Sequence, residues 1–477
     1  MASQPQDRTE GGATPQVGTE TSLDLDVPDG PPEAFEEGSP NPRSYHAGLR
    51  ERHGASLFPS TALYYEEPIE LRRGEGQFVF DGEDNRYLDL FGGIVTVISG
   101  HAISEITEPI KAQLDRISHT STLFLIPSQI ELAERIVGMT RESAPEIGRV
   151  FFTNSGTEAN EAAFLLATLA RGNNEFLALR HSYHGRSFAT VSASGQAAWR
   201  PTAYSPIHVH YTLNGYCYRC PFGQTYPDCG LTCARDLEQV IQTETSGHPA
   251  ALIAEPIQGL GGFITPPPEY FTVLKEILDR YGILFIADEV QTGWGRLGEA
   301  AFGFEYYGVQ PDMFTFAKGL GNGLPIGGVA ATEGLAGGIK SLSISTFGGN
   351  PVCATGALAN LDYIERHGLQ ANAKALGDYF FDRLRELGEK HPIIGEVRGK
   401  GLLIGIELVT DRETKQPAAQ ELARIMDLTR RKGVIIGKGG LYGNVIRLSP
   451  PLIITKDDVD FAIGVFDEVF GEVERTM

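Results

Sequence analysis

Three features of the sequence predict an α/β protein, with a mostly parallel sheet sandwiched by helices and a smaller α+β domain after it. Five short runs each carry a continuous apolar core: RVFFT (149–153), EFLALR (175–180), AALIAEP (250–256), ILFIADE (283–289) and MFTFAKG (313–319). Helical stretches separate these runs, and apolar strands set between helices belong to parallel sheets covered on both faces. From about residue 356 the pattern changes to helix, a strand pair near RGKGLLIGIEL (398–408), another helix and a strand at NVIRLSPP (444–451).

The earlier elements follow from periodicity. QFVFDGEDNRYLDL (77–90) reads as two strands about a turn at Asp81-Gly82, because Asp-Gly between alternating apolar residues favours a hairpin. ISEITEPIKAQLDRI (103–117) and SQIELAERIVGMT (128–140) space their apolar residues by three and four, as amphipathic helices do. The expected organisation is an acidic tail (1–45), an N-terminal segment packing on the small domain (46–98), a large domain (99–355) and the small domain (356–477).

Composition narrows the function. The 477 residues are 41% hydrophobic and 21% charged, an ordinary globular balance. No apolar run reaches the roughly 20 residues that a membrane helix takes. Lys+Arg 40 against Asp+Glu 61 gives a net charge of -21, which argues against nucleic acid or an anionic membrane as partner. No basic-plus-apolar start marks a secretory signal, so a cytoplasmic protein is expected. Residues 1–40 hold nine acids and one base among Pro, Gly, Ser and Thr, the composition of a disordered tail.

Ligands of such sheets sit beyond the carboxyl ends of the strands. The five runs lead into Asn154-Ser155-Gly156-Thr157, into His181-Ser182-Tyr183-His184-Gly185-Arg186, into Glu255, into Asp288-Glu289 and into Lys318. A Ser-Gly-Thr turn opening a helix offers N–H groups, hydroxyls and a positive dipole end to a phosphate. The same tripeptide also serves as an ordinary N-cap. Asp288, ending a buried strand, needs a cationic partner, and either a protonated ring nitrogen or an arginine supplies one. Lys318 at the end of an apolar strand has the desolvated amine of Schiff-base chemistry, unless it snorkels to the surface. A lysine for an aldehyde, a carboxylate for a ring nitrogen and a phosphate cup are together what pyridoxal 5′-phosphate requires. Tyr183 and Val290 are placed to cover the two faces of its ring.

The runs FFTNSGTEANEAA, YHGRSFAT, AEPIQG, LFIADEVQTGWGRLG, FAKGLGNGLPIGG and STFGGNP resemble those of the class III aminotransferases, which are fold-type I pyridoxal-phosphate enzymes. The resemblance runs from about residue 60 to the C-terminus. It implies a seven-stranded sheet in the large domain and a homodimer with active sites at the subunit interface. By motif, it implies that Lys318 forms the Schiff base with the cofactor and shuttles protons at the substrate α-carbon. Asp288 would keep the pyridine nitrogen protonated. Ser155, Gly156 and Thr157 would hold the phosphate, with the partner subunit's Thr346 completing the cup. Tyr183 would stack on the ring, Val290 would pack beneath it, Gln291 would reach its hydroxyl, and His184 and Glu255 would complete the cofactor site.

The resemblance also speaks to substrate. In relatives that use ornithine, acetylornithine or 4-aminobutyrate, the arginine of the HGR run, here Arg186, binds a carboxylate. A second arginine, matching Arg447 in VIRLSPP, binds the α-carboxylate of the keto acid. Those relatives carry a glutamate directly after EPIQG that masks this second arginine, and here Leu260 stands in its place. That departure, with ALYYEEPIEL and DLFGGIVTV, is similar to the alanine–glyoxylate and β-amino-acid–pyruvate (ω-transaminase) group. The expected activity is ping-pong transfer of an amino group from an ω- or β-amino acid, or an amine, to pyruvate or glyoxylate. A phospho-lyase, an amino-acid racemase and a 4-aminobutyrate/ornithine-type aminotransferase are the alternatives. A nucleotide site at GLGNGLPIGG is disfavoured, because Lys318 precedes the glycines and no GKS or GKT is present.

Cys217, Cys220, Cys229 and Cys233 lie within CYRCPFGQTYPDCGLTC. Their CxxC and CxxxC spacing suits a four-thiolate zinc knuckle. Disulfides, or reduced thiols packing a loop, are the alternatives. Falling between the Tyr183 and Glu255 segments, this stretch is expected near the substrate entrance.

Overall fold

The computed structural model describes residues 42–61, 63–202 and 204–477. Most of the expected acidic tail lies outside the described residues. Its last positions are helical instead: a helix spans Pro42–Ser56, opened by a proline whose fixed φ suits the first helical position. Residues Pro59–Met477 form a separate unit with a continuous apolar core that runs from Leu88 to Val473. Among the described residues no helix is long and apolar enough to cross a membrane.

Strands β1 (Ile147–Thr153), β2 (Glu175–Leu179), β3 (His208–Thr212), β4 (Ala251–Ala254), β5 (Leu284–Asp288), β6 (Met313–Phe316) and β7 (Gly327–Thr332) make one sheet. Their order is β1-β7-β6-β5-β4-β2-β3. Only β7 is antiparallel to its neighbours; the pairs β2–β3, β2–β4, β4–β5 and β5–β6 are parallel. β2, β4, β5 and β6 are buried along their whole length, as continuous apolar runs require.

Two strands escape the apolar-run pattern. β3, HVHYT, is the sheet's edge and stays partly exposed. β7, GGVAAT, is made of weak strand formers, and becomes a strand because it is paired on both sides. Its glycines are steric: a Cβ on Gly327 would lie 2.8 Å from the Ser155 carbonyl oxygen, and one on Gly328 would lie 2.6 Å from the Phe316 ring.

The helices expected at 103–117 and 128–140 span Ser104–Leu114 and Pro127–Met139. The hairpin at 77–90 pairs Phe78–Asp81 with Arg86–Asp89. Asp81 fixes its turn, accepting the Glu83 and Asn85 N–H groups at 2.9 Å and the Tyr87 hydroxyl at 2.8 Å. Arg86–Asp89 then pairs in parallel with Val434–Ile435. Beyond residue 390, Ile394–Lys400, Leu403–Asp411, Val445–Leu448 and Gly437–Gly439 form an antiparallel sheet. Helices Ala419–Arg431 and Lys456–Glu474 bury their apolar faces in the same core.

Candidate active site

The chain leaving β1, β2, β4, β5 and β6 opens on one cavity of about 360 Å³, lined among others by Ser155, Gly156, Thr157, Tyr183, His184, Glu255, Asp288, Val290, Gln291 and Lys318. After β1, Ser155 caps the helix Gly156–Arg171, its Oγ accepting the Glu158 N–H at 3.2 Å. It is therefore an N-cap and a wall of the cavity at once. The N–H groups of Gly156 and Thr157 lie in the first helical turn, where no carbonyl of the helix reaches them, and the dipole adds positive potential. Gly156 is sterically required, since a Cβ there would meet Val290 Cγ2 at 2.9 Å. Gly156→Ala is expected to displace Val290 and weaken retention of pyridoxal phosphate about tenfold to a hundredfold, the scale of overpacking. Equilibrium dialysis against the cofactor reads this, with circular dichroism checking the fold.

Asp288 ends β5, almost fully buried. Its Oδ2 accepts from His184 Nδ1 at 2.7 Å and from Asn160 Nδ2 at 2.9 Å, while Oδ1 accepts from Val290 N at 3.2 Å. Among the described residues no lysine or arginine pairs with it; its one ion-pair-distance partner is His184. The carboxylate is thus available to a cationic group in the cavity.

Lys318 follows β6 at φ 42°, in the left-handed region that side chains rarely adopt. Burial, and then the Arg447 charge, lower its amine to about 8, against the opposing pull of Asp288 and Glu255. A neutral amine is the nucleophilic form. Capture of added pyridoxal phosphate by the apo chain is therefore expected to accelerate with rising pH about a midpoint near 8. Stopped-flow absorbance reads that profile, and a rate still climbing at the ordinary lysine pKa contradicts it.

Glu255 accepts the Tyr183 and Gly259 N–H groups, both at 2.8 Å, and burial pushes its carboxyl up to about 7. It ties two cavity loops together. The Tyr183 ring stands edge-on to Trp199, with centroids 5.6 Å apart. Gln291 lines the cavity, and its Oε1 accepts from an Arg447 terminal nitrogen at 2.9 Å. Arg447 is fully buried behind it, its guanidinium carbon 4.7 Å from the Phe263 ring centroid and 5.7 Å from that of Phe91. Its Nε has no partner.

Two residues implied by the resemblance are not brought together with the rest. Arg186 is exposed and outside the cavity wall. The chain runs tight against Thr157 at Gly185, where a Cβ would lie 2.7 Å from Thr157 Oγ1, and then enters the helix Phe188–Ser192. Thr346 is exposed and lines no part of this chain's own cavity. Conversely, Asn160 and Thr315 were missed. They project from the middle of a helix and of a strand, not from a strand end. The only signal was a polar Asn160 among the small apolar residues of EANEAAF.

The cysteine segment is open to zinc, disulfides or reduced thiols. Cys217, Cys220, Cys229 and Cys233 line one small cavity of about 20 Å³, and all are free. Among the described residues no group of three or more His, Cys, Asp or Glu is arranged to hold a metal ion. Burial and neighbouring thiols push Cys217 and Cys233 up to about 11. The segment fastens on the C-terminal sheet instead: Arg219 pairs with Glu407, and Lys415 Nζ donates to the Tyr218 carbonyl at 2.6 Å. None of its cysteines lines the active-site cavity.

The sequence profile described as aminotransferase class-III matches residues 62–470. The chain belongs to the class III aminotransferases. It is 43% identical over 412 residues to alanine–glyoxylate aminotransferase 2 homolog 2, mitochondrial, of Arabidopsis thaliana, covering 86% of this chain and 84% of that protein. It is 35% identical over 441 residues to the human alanine–glyoxylate aminotransferase 2, mitochondrial, covering 87% of this chain and 84% of that protein. An (S)-enantioselective omega-transaminase from Thermomicrobium roseum superposes with a TM-score of 0.82 at 36% identity, over 90% of this chain and 98% of that one. This class III aminotransferase is a fold-type I enzyme whose cofactor is pyridoxal 5′-phosphate. Its residues fit that group. The helix start at Gly156 would hold the phosphate, Asp288 would face the ring nitrogen, Lys318 would take the aldehyde, and Tyr183 and Val290 would cover the two ring faces.

Proposed function

We propose that this aminotransferase moves an amino group from an ω- or β-amino acid, or an amine, to pyruvate or glyoxylate by a ping-pong mechanism. The observation that carries the reading is Arg447: a buried guanidinium whose side-chain partner is the neutral Gln291, beside Lys318. A buried cation without an acid is costly unless a ligand anion completes it. The carboxylate of a short 2-oxo acid, adjacent to the reacting carbonyl carbon, supplies that anion by replacing the Gln291 amide oxygen. Ornithine- and 4-aminobutyrate-type activity is disfavoured, since no acid masks Arg447 among the described residues and Arg186 stands outside the cavity. Leu260 stands at the sequence position of the masking glutamate, and its carbonyl accepts the Gly440 N–H at 2.9 Å.

Bound in the cavity, pyridoxal phosphate supplies an aldehyde for the amine and a ring that takes up the electron pair released at the substrate carbon. The chain does the rest. Asp288 keeps a proton on the ring nitrogen. Lys318 Nζ, near neutrality in its protonation, takes the proton from the substrate carbon and hands it on. Arg447 orients the carboxylate so that the carbon–hydrogen bond faces Nζ.

Leu123, Phe124 and Leu125, and likewise Leu342, Ile344 and Phe347 on either side of Thr346 in the sequence, are exposed, and Thr122 and Ser343–Ser345 line one groove. Exposed apolar side chains in these two segments support a homodimer, and sedimentation analysis reads it.

The test of the reading is the absorbance of the holoenzyme before and after alanine, β-alanine, 4-aminobutyrate, ornithine or an arylalkylamine. Bleaching of the yellow band by one donor, and its return with pyruvate or glyoxylate, is the expected result. Turnover that needs no keto acid would instead mark a lyase or racemase.

A further inference from the structure

Asp288 and Thr315 are register partners on the adjacent parallel strands β5 and β6, so their side chains leave the same face of the sheet. The helix Gly156–Arg171 crosses that face and sets Asn160 between them. Asn160 Nδ2 donates to Asp288 Oδ2 at 2.9 Å and to the His184 carbonyl at 2.8 Å. Its Oδ1 accepts from Thr315 Oγ1 at 2.6 Å. All four residues are at least nine-tenths buried: Thr315 0%, Asn160 1%, His184 2% and Asp288 3% exposed.

Proton accounting fixes every hydrogen in this cluster. A carboxylate oxygen and a carbonyl accept only, so the amide nitrogen of Asn160 must face both, which turns its oxygen to Thr315. The Thr315 hydroxyl must then donate. His184 Nδ1 faces the same carboxylate and carries a hydrogen, while its buried Nε2 has no partner and is best left without one. Both donors fall on Oδ2. Oδ1 receives only the 3.2 Å bond from Val290 N, and so is the oxygen with capacity left for a donor in the cavity.

We propose that Thr315 and Asn160 are positioning residues that, with His184, lock one oxygen of Asp288 and thereby aim the other at the ring nitrogen of the cofactor. Asp288 and the His184 carbonyl set the sense of the Asn160 amide, and Thr315 supplies the donor its buried oxygen needs. Without that hydroxyl the oxygen is left unpaired, Asn160 is held less firmly, and Asp288 Oδ2 loses its fixed position. The inference rests on the cofactor site, not on the choice of donor or acceptor, so it survives a wrong assignment of substrate.

The test is Thr315→Val, which removes the hydroxyl at nearly constant volume, with Thr315→Ser as the variant that keeps it. Thr315→Val is expected to weaken pyridoxal phosphate retention about tenfold and to lower kcat about tenfold at unchanged KM, the scale of one buried hydrogen bond. The 15N resonance of ring-labelled cofactor in the holoenzyme should move toward that of a neutral pyridine, a shift that loss of packing alone does not produce. Thr315→Ser should keep the wild-type resonance and retention. Asn160→Leu, which removes the donor to Asp288 at similar volume, should give the same shift and serves if Thr315→Val does not fold. A wild-type 15N shift and retention in Thr315→Val or Asn160→Leu overturns the proposal. So does a Thr315→Ser variant as impaired as Thr315→Val.

Discussion

Lys318→Ala is expected to lower transamination by more than about a thousandfold, because no other group reproduces a covalent nucleophile and base at one atom. The amine follows a buried strand at a strained φ of 42°, and burial with the Arg447 charge lowers it to about 8. Those features cost the fold something and serve only chemistry. Alanine at 318 removes a desolvated amine and leaves the neighbouring core of Phe316, Leu320 and Ile326 intact, so thermal stability should hold or rise slightly. The variant should still take up pyridoxal phosphate through the Gly156 helix start and Asp288, but reversibly. Borohydride treatment should attach no cofactor to it. Steady-state rates with whichever donor bleaches the wild-type holoenzyme, and mass spectrometry after reduction, read both outcomes. Near-normal turnover would remove Lys318 from the centre of the site.

Arg447→Gln is expected to lower kcat/KM for pyruvate and glyoxylate about 30- to 1,000-fold, the range of about 2–4 kcal/mol for a buried charge-assisted contact. The loss should fall on the keto-acid half-reaction. Bleaching by an arylalkylamine, which has no carboxylate, should change little. Because the guanidinium meets Gln291 and no acid, its removal strands no counter-charge, and the apo chain should unfold at a similar or higher temperature. A second consequence follows from electrostatics. The Arg447 charge helps hold the Lys318 amine at about 8. Replacing it with a neutral amide should therefore move the midpoint of cofactor capture upward in pH. An unchanged apparent affinity for both keto acids, with an unchanged midpoint, would sink the assignment.

Some of this was legible before any coordinates. The continuous apolar runs specify β2, β4, β5 and β6, because a strand buried on both faces is filled mainly by apolar residues; the run at β1 also forms a strand, but a partly exposed edge. Their ends name Ser155, Tyr183, Glu255, Asp288 and Lys318, because connections leaving a parallel sheet at one edge must pass the same crevice. The motifs around them identify the family and its cofactor. Where apolar patterning is weak the sequence says less. β7 is glycine and alanine, and is made a strand only by the neighbours it pairs with.

Local pattern also carries no direction for a single long side chain. The HGR motif points to Arg186 as a substrate ligand, whereas in the fold Arg186 is exposed and lines no part of this chain's own cavity. Cysteine spacing leaves zinc, disulfides and reduced thiols open, and the fold adds that the four cysteines line one small cavity in a loop clamped to the C-terminal sheet. The strand-end residues and the cofactor were thus determined by the sequence, through burial and chain direction. Only the tertiary structure decided that Gln291 covers Arg447 and that Thr315 and Asn160 stand behind Asp288. Those contacts join residues 128 to 156 positions apart in the chain, and such distances are set by packing alone.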